Sequence, residues 1–366
     1  MKITKIIIYK VNIPLKSPFI IALGATTIAE NIFVKIETNQ GIYGWGEGSP
    51  YPRVVGETQQ SCMEIARDIA RLLLNQDPLY IKTIAAAMEK AFPFSPTARS
   101  AFDMALYDIL GKAANLPLYK LLGGQKRTLV TDYTIGLGTP EEMAKKTEMV
   151  IRDGFSIIKI KLGTSSNDDM QRLNSVCTVI RDNVLLRIDA NQGWDKIEAV
   201  KILKAIENMP VQFCEQPVPA YDVEGMRYIR AKVLIPIMAD EALFNAGDAL
   251  TLFINQACDY FNVKLSKTGG LTEAIKLVSL AEALNVPCMV GCMSETRMGL
   301  TAAAHLAVVF PIIRFVDLDS ALMHSIDPIL GGIRYIQGKI LVPEDSGLGV
   351  DVDPKFLDTL ERVEVE

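Results

Sequence analysis

Two lysines spaced two apart, Lys159 and Lys161, interrupt the otherwise apolar, β-branched stretch FSIIKIKLG. Read as a buried strand, this stretch points both ammonium groups to one side. Paired like charges on a buried face are costly unless they serve something. One reading is a snorkelling pair at a strand end. The other is a lysine base whose proton affinity is lowered by its neighbour. Three acids follow at near-constant intervals: Asp189, Glu215 and Asp240, 26 and 25 residues apart. If they lie side by side, three carboxylates cannot all stay ionised without a cation between them. Oxygen ligands with no His or Cys favour a hard ion, Mg²⁺ first. Acids salt-bridged to neighbouring lysines would account for one carboxylate, hardly for three in register.

The interval between those acids is the length of one βα unit, which brings in the elements that must hold them. From about Thr128 short apolar strands alternate strictly with amphipathic helical patterns. Eight such units over roughly 190 residues predict a parallel (β/α)8-type TIM barrel. An open doubly wound sheet is the alternative, but no GxGxxG follows the first strand. Residues 1–125 read as an N-terminal α+β capping domain, strands first and helices after. Asn39–Gly41 supplies a hairpin turn, and residues 16–31 a lid loop. Residues 126–327 are the expected catalytic barrel, and 328–366 a C-terminal segment returning to the cap.

Barrel active sites sit where strands end, and here those ends are charged. Strand two carries the lysines, strand three Asp189 and Asn191, strand four Glu215, strand five Asp240 and Glu241, and strand six Lys264. Strand eight carries Asp317 and Asp319. Strands two and six are diametrically opposite in a barrel of eight. Lys161 and Lys264 would thus reach a substrate from two sides, removing a proton from one face of a carbon and returning it to the other. The metal would stabilise the intermediate enolate. Asp317 and Asp319 share one strand face across the mouth and call for a cation, a second metal or, better, a substrate ammonium. A dipeptide spans at most ~7 Å, at about 3.5 Å per residue, which suits that distance.

The remaining composition narrows the classes. At 49% hydrophobic and 22% charged the chain is an ordinary globular one, and its net charge of −5 gives no support for a nucleic-acid or anionic-membrane surface. Lysines at 2, 5 and 10 rule out a signal-type apolar run at the start. Six scattered cysteines without CxxC read as reduced thiols of a cytoplasmic protein. Only two histidines are present, and His305 falls in an apolar helical run. Barrel enzymes commonly form homo-oligomers, though no segment announces an interface.

KIK, DAN, EQP, ADE and KLSKTGG, in this order and spacing, resemble the mandelate-racemase/muconate-lactonising branch of the enolase superfamily, whose Lys or His bases work with Mg²⁺. The DLD of strand eight looks like the DxD signature of its dipeptide epimerases. The resemblance implies Mg²⁺ on Asp189, Glu215 and Asp240, and acid/base roles for Lys161 and Lys264. It also implies an auxiliary Lys159 near the substrate carboxylate, ammonium anchors at Asp317 and Asp319, and substrate-bordering positions at Thr134 and Cys292. One departure stands out. Ala-Glu epimerases of this family carry a lid arginine for the glutamate side chain, and the matching position here is Gly24. The lid offers Phe19, Ile20 and Ile28 instead, which points to hydrophobic or small neutral dipeptides; Arg297, near strand seven, is a candidate partner for an acidic one. The alternatives are an L-Ala-D/L-Glu epimerase, a cycloisomerase or an o-succinylbenzoate synthase. A sugar-acid dehydratase lacks its histidine. A non-catalytic peptide-binding barrel would not need opposed lysines.

Overall fold

The computed structural model describes residues 1–181 and 183–366. The chain opens with a long antiparallel hairpin, Ile3–Ile21 against Gly24–Thr38, followed by Tyr43–Gly48 at its side. Helices Gln59–Leu73, Ile81–Ala91 and Pro96–Ala113 come next. The last of these is buried along nearly its whole length, because it is clamped between the sheet and the barrel. Glycines in YGWGEG make that contact tight: a Cβ at Gly44 or Gly46 would run into the carbonyls of Ala105 and Ala101.

Residues 16–31 are not a loop. Both arms remain paired strand almost to the tip, with Phe19 opposite Thr26 and only Ala22 and Leu23 in the turn. Backbone groups of the two arms pair across the hairpin, Ile20 opposite Ala25 and Ile21 opposite Gly24, which a loop reading overlooks. One irregularity, between Pro14 and Phe19, bulges the first arm. The base of the lid is fastened beside strand eight: Ser325 N–H donates to Pro14 O at 2.9 Å and Lys16 Nζ to Leu322 O at 2.8 Å. Its tip meets barrel loop one through Leu137 N–H donating to Ile20 O at 2.7 Å.

Eight parallel strands pair in sequence order: Tyr133–Ile135, Ile157–Lys161, Leu185–Asp189, Val211–Glu215, Ile237–Ala239, Tyr260–Val263, Cys288–Val290 and Ile313–Val316. A parallel bridge from Thr131 to Val316 joins the last strand to the first. Full helices follow the first seven strands, while the eighth leads into a 3₁₀ turn, Ser320–Met323. The stretch Thr128–Gly136 does not form one strand. Leu129–Val130 pairs antiparallel with Lys339–Leu341, and only Tyr133–Ile135 enters the barrel. The tail therefore divides, one part closing on Leu129–Val130 and the final strand, Arg362–Val365, adding to the edge of Ile3–Ile21. A buried Arg187 ties the barrel interior together, donating to Asp132 Oδ2 at 2.7 Å and Val316 O at 2.8 Å while its guanidinium stacks near Phe213 and Phe315.

Candidate active site

A cavity of about 420 Å³ lies between the lid hairpin and the C-terminal ends of the barrel strands, a size proper to small-molecule sites. Lys161 and Lys264 both line it, from strands four steps apart in either direction around the ring. Thr134, Cys292, Asp317 and Asp319 border it from the ends of strands one, seven and eight. Lid residues Phe19 and Ile28 cover it from above.

Asp189, Glu215 and Asp240 stand on adjacent strands and are buried, Asp189 opposite Glu215 in register. Each has one oxygen held by the protein. Asn191 N–H donates to Asp189 Oδ1 at 2.9 Å, Asn262 Nδ2 to Glu215 Oε1 at 2.7 Å, and Lys267 Nζ to Asp240 Oδ1. The other oxygen of each faces an ammonium: Lys161 Nζ lies 2.6 Å from Asp189 Oδ2, Lys159 Nζ 2.7 Å from Glu215 Oε2, and Lys264 Nζ 2.7 Å from Asp240 Oδ2. Glu215 Oε2 has the short ion pair but no aligned hydrogen bond.

Lys159, read from sequence as a neighbour that depresses Lys161, has its own charge locked in. It is 1% exposed and touches Asp317 at 2.7 Å and Asp189 at 3.2 Å as well as Glu215. Burial works against its charge, yet Asp317, Glu215 and Asp189 together raise its proton affinity well above that of an ordinary lysine. Lys264 is likewise raised, burial being outweighed by Asp240 and Glu215.

The balance of charge tests the fit of a metal. Four buried ammonium groups (Lys159, Lys161, Lys264, Lys267) face six buried carboxylates (Asp189, Glu215, Asp240, Glu241, Asp317, Asp319). The cluster is short of two positive charges, which one divalent ion supplies. The shortage appears in the acids without full partners: burial, then the Asp189 charge, pushes Glu215 up to about 7, and burial with Asp240 pushes Glu241 up to about 8. Burial and Asp317 push Asp319 up to about 7. Asp189, Asp240 and Asp317 are held below the usual carboxylate range: burial would raise each, but their lysines outweigh it. The residues fit a hard divalent cation.

Three further expectations meet the structure differently. Arg297 does not reach the cavity. Its guanidinium is spent on Asp327 and the carbonyls of Ile329, Gly331 and Ile333, where it staples the tail. Gly24 sits at φ +134, and a side chain there would overlap the guanidinium of Arg53. Asp317 spends Oδ2 on Lys159 and Asp319 spends Oδ2 on Thr134 N–H at 2.6 Å. Positioning residues that the spacing argument passed over are Asn262, Lys267 and Gln216. Gln216 Oε1 accepts from Asp240 N–H at 3.0 Å and Ala242 N–H at 3.1 Å, aligning the fifth strand end with the fourth. Their signal was a polar residue inside an apolar strand-and-turn motif: EQP, FNV and KLSKTGG.

Comparison with known proteins gives the lineage. A curated D-Ala-D/L-Ala epimerase of Cytophaga hutchinsonii is 40% identical over 365 residues, covering 99% of both chains. The crystal structure of a dipeptide epimerase from Cytophaga hutchinsonii, complexed with Mg and the dipeptide D-Ala-L-Val, is 40% identical and superposes with a TM-score of 0.98 over 100% of both chains. The hydrophobic dipeptide epimerase of Enterococcus faecalis is 38% identical over 96% of this chain and 99% of its own. The structure of a dipeptide epimerase from Enterococcus faecalis V583 complexed with Mg and L-Leu-L-Tyr, 38% identical, has a TM-score of 0.93, covering 96% of this chain and 100% of that one. The L-Ala-D/L-Glu epimerase of Bacillus subtilis, solved with substrate, is 36% identical with a TM-score of 0.93 over 96% and 99% of the two chains. Residues 3–123 match the mandelate racemase / muconate lactonizing enzyme N-terminal domain, and residues 142–356 the enolase C-terminal domain-like model. With a lid-bearing cap, a parallel barrel and both halves matched, the chain belongs to the mandelate racemase / muconate lactonizing enzyme branch of the enolase superfamily.

Proposed function

We propose that the protein is a Mg²⁺-dependent dipeptide epimerase that inverts the α-carbon of the C-terminal residue by two-base proton transfer. The observation that carries this reading is the placement of Lys161 and Lys264 on opposite sides of one cavity, with the carboxylate trio between them and Asp317/Asp319 across the mouth. Asp189, Glu215 and Asp240 would hold the ion. When bound, it supplies positive charge beside the substrate carboxylate, which makes the α-proton removable. Lys161 and Lys264 then act as base and acid on opposite faces, exchanging roles for the reverse direction. Asp317 and Asp319 hold the substrate ammonium, and Lys159 steadies the carboxylates on either side of it. The cap of residues 1–125 with the tail 328–366 closes the barrel of residues 126–327.

Hydrophobic or small neutral dipeptides are the preferred class. The cavity's only basic side chains are the three lysines (among the described residues), and its lid wall is Phe19, Ile21 and Ile28. The E. faecalis relative's name points the same way. An anionic chain would meet no free cation there, which disfavours L-Ala-D/L-Glu chemistry, and the DxD pair disfavours cycloisomerase and o-succinylbenzoate synthase substrates, which carry no ammonium. A cytoplasmic setting and self-association belong to the same proposal; all six cysteines are free, and no helix among the described residues is long and apolar enough to cross a membrane. A panel of L,L-dipeptides assayed for C-terminal epimerisation with Mg²⁺ tests the reading. Turnover of neutral members such as Ala-Ala or Ala-Val is expected; a clear preference for Ala-Glu overturns the specificity, and inertness toward the whole panel overturns the activity.

A further inference from the structure

Beside the carboxylate trio, two buried acceptors have no donor. Glu241 follows Asp240 at the end of strand five, and Asn191 lies two residues beyond Asp189 at the end of strand three. Both line the cavity and each is 4% exposed. Asn191 Nδ2 donates to Glu241 Oε1 at 3.1 Å. That bond fixes the amide, because the flipped arrangement would set two oxygens against each other. Asn191 Oδ1 and Glu241 Oε2 remain, closed off from bulk water and without a hydrogen-bond partner among the described residues. Among the described residues no ammonium forms an ion pair with Glu241 either: Lys159, Lys161, Lys264 and Lys267 pair with Asp189, Glu215, Asp240 and Asp317, and Lys264 acts on Glu241 only from beyond ion-pair distance. Asn191 is held in place by its own strained backbone, at φ 41, and by its N–H bond to Asp189.

Buried acceptors left open cost stability, so such a pair persists where something else brings the hydrogens. Mg²⁺ dehydrates reluctantly and keeps part of its water, whereas Ca²⁺ accepts more direct oxygen ligands in looser geometry. We propose that Glu241 and Asn191 form an outer seat for a hydrated divalent cation. They accept hydrogens from water that the ion retains, and thereby select Mg²⁺ over Ca²⁺. This rests on the reading of Asp189, Glu215 and Asp240 as the metal site.

The test is calorimetric titration of the full-length protein with Mg²⁺ and, separately, Ca²⁺, for the wild type, Glu241→Gln, Asn191→Ala and Asp240→Asn. Glu241→Gln is expected to weaken Mg²⁺ about 10–100-fold, the usual effect of removing an outer partner, while Ca²⁺ affinity stays within about threefold. Asn191→Ala should move Mg²⁺ in the same direction by less. Equal losses for both ions in Glu241→Gln would mean a direct ligand or a bare charge effect and would overturn the proposal, as would no loss for either. Asp240→Asn should abolish both titrations. If it binds both ions like the wild type, the metal-site reading fails, a result separate from the behaviour of Glu241→Gln.

Discussion

Asp319→Asn separates ammonium recognition from proton transfer. Asp319 is buried and its Oδ2 accepts from Thr134 N–H, a bond the amide oxygen of asparagine can keep, so the fold should survive the change. Asp317 is the poorer choice because it also neutralises Lys159 at 2.7 Å. A pair of unit charges about 4 Å apart interacts by about 4 kcal/mol at the effective dielectric of a protein site. Allowing for residual attraction from Asp317, the loss should be about 2–4 kcal/mol. At about 1.4 kcal/mol per factor of ten, that lowers kcat/KM for a free dipeptide by roughly 30- to 1000-fold. An N-acetylated analogue has no ammonium, so its already poor turnover should change by less than about threefold. The pH dependence carries the same signature. Burial and Asp317 push Asp319 up to about 7, so the anionic anchor should be lost, and kcat/KM for free dipeptides should fall, as pH drops below about 7. That limb should vanish in Asp319→Asn. Equal losses for free and acetylated substrates would refute the assignment.

Other perturbations probe the frame. His305 Nδ1 accepts from Tyr119 N–H, so the ring is neutral and Nε2–H donates to Leu348 O at 3.2 Å; burial pushes its pKa down to about 4 from 6.5. Its contribution is therefore complete above about pH 6.5 and lost as pH falls toward 4, by about 3 kcal/mol. Urea melts at pH 7.5 and 4.5 should show that part of the slope removed in His305→Gln, which keeps both bonds. Arg187→Met leaves Asp132 unpaired in the barrel and should cost about 3–5 kcal/mol, with partial recovery when Asp132→Asn is added, as read by chemical denaturation. Gly24→Arg alone should give little Ala-Glu epimerisation, because Arg53 occupies the space a side chain at 24 would need; adding Arg53→Ala should raise it several-fold, and equal rates for the single and double variants would show that Arg53 is no obstacle.

The layout of the candidate site is legible in the sequence because its residues fall at strand ends. Each of Asp189, Glu215, Asp240 and Lys264 closes a short apolar run, and the βα repeat converts their sequence intervals into neighbouring strands. What escaped were the partners supplied across strands. Nothing near Glu215 in sequence foretells that Asn262, 47 residues on, holds its Oε1. The same holds for Lys159, which local reasoning set against Lys161 and the fold surrounds with carboxylates from strands three, four and eight. Residues 16–31 read as a loop because the register shift between Pro14 and Phe19 interrupts the two-residue period of the first arm; the structure makes them a paired hairpin whose Phe19 and Ile28 line the cavity. Arg297 was misjudged for a similar reason: proximity to strand seven in sequence says nothing of the tail carbonyls that capture it.

Isotope exchange in D₂O tests the two-base claim most directly. With Mg²⁺ present, the L,L and L,D epimers of a turned-over dipeptide are incubated separately with Lys161→Ala and Lys264→Ala, and deuterium at the C-terminal α-carbon is followed by NMR. Both variants should lose epimerisation, yet each should still exchange one epimer, and not the same one, because each retains the lysine on one face. Exchange of both epimers by both variants, or exchange surviving the loss of both lysines, would contradict the account.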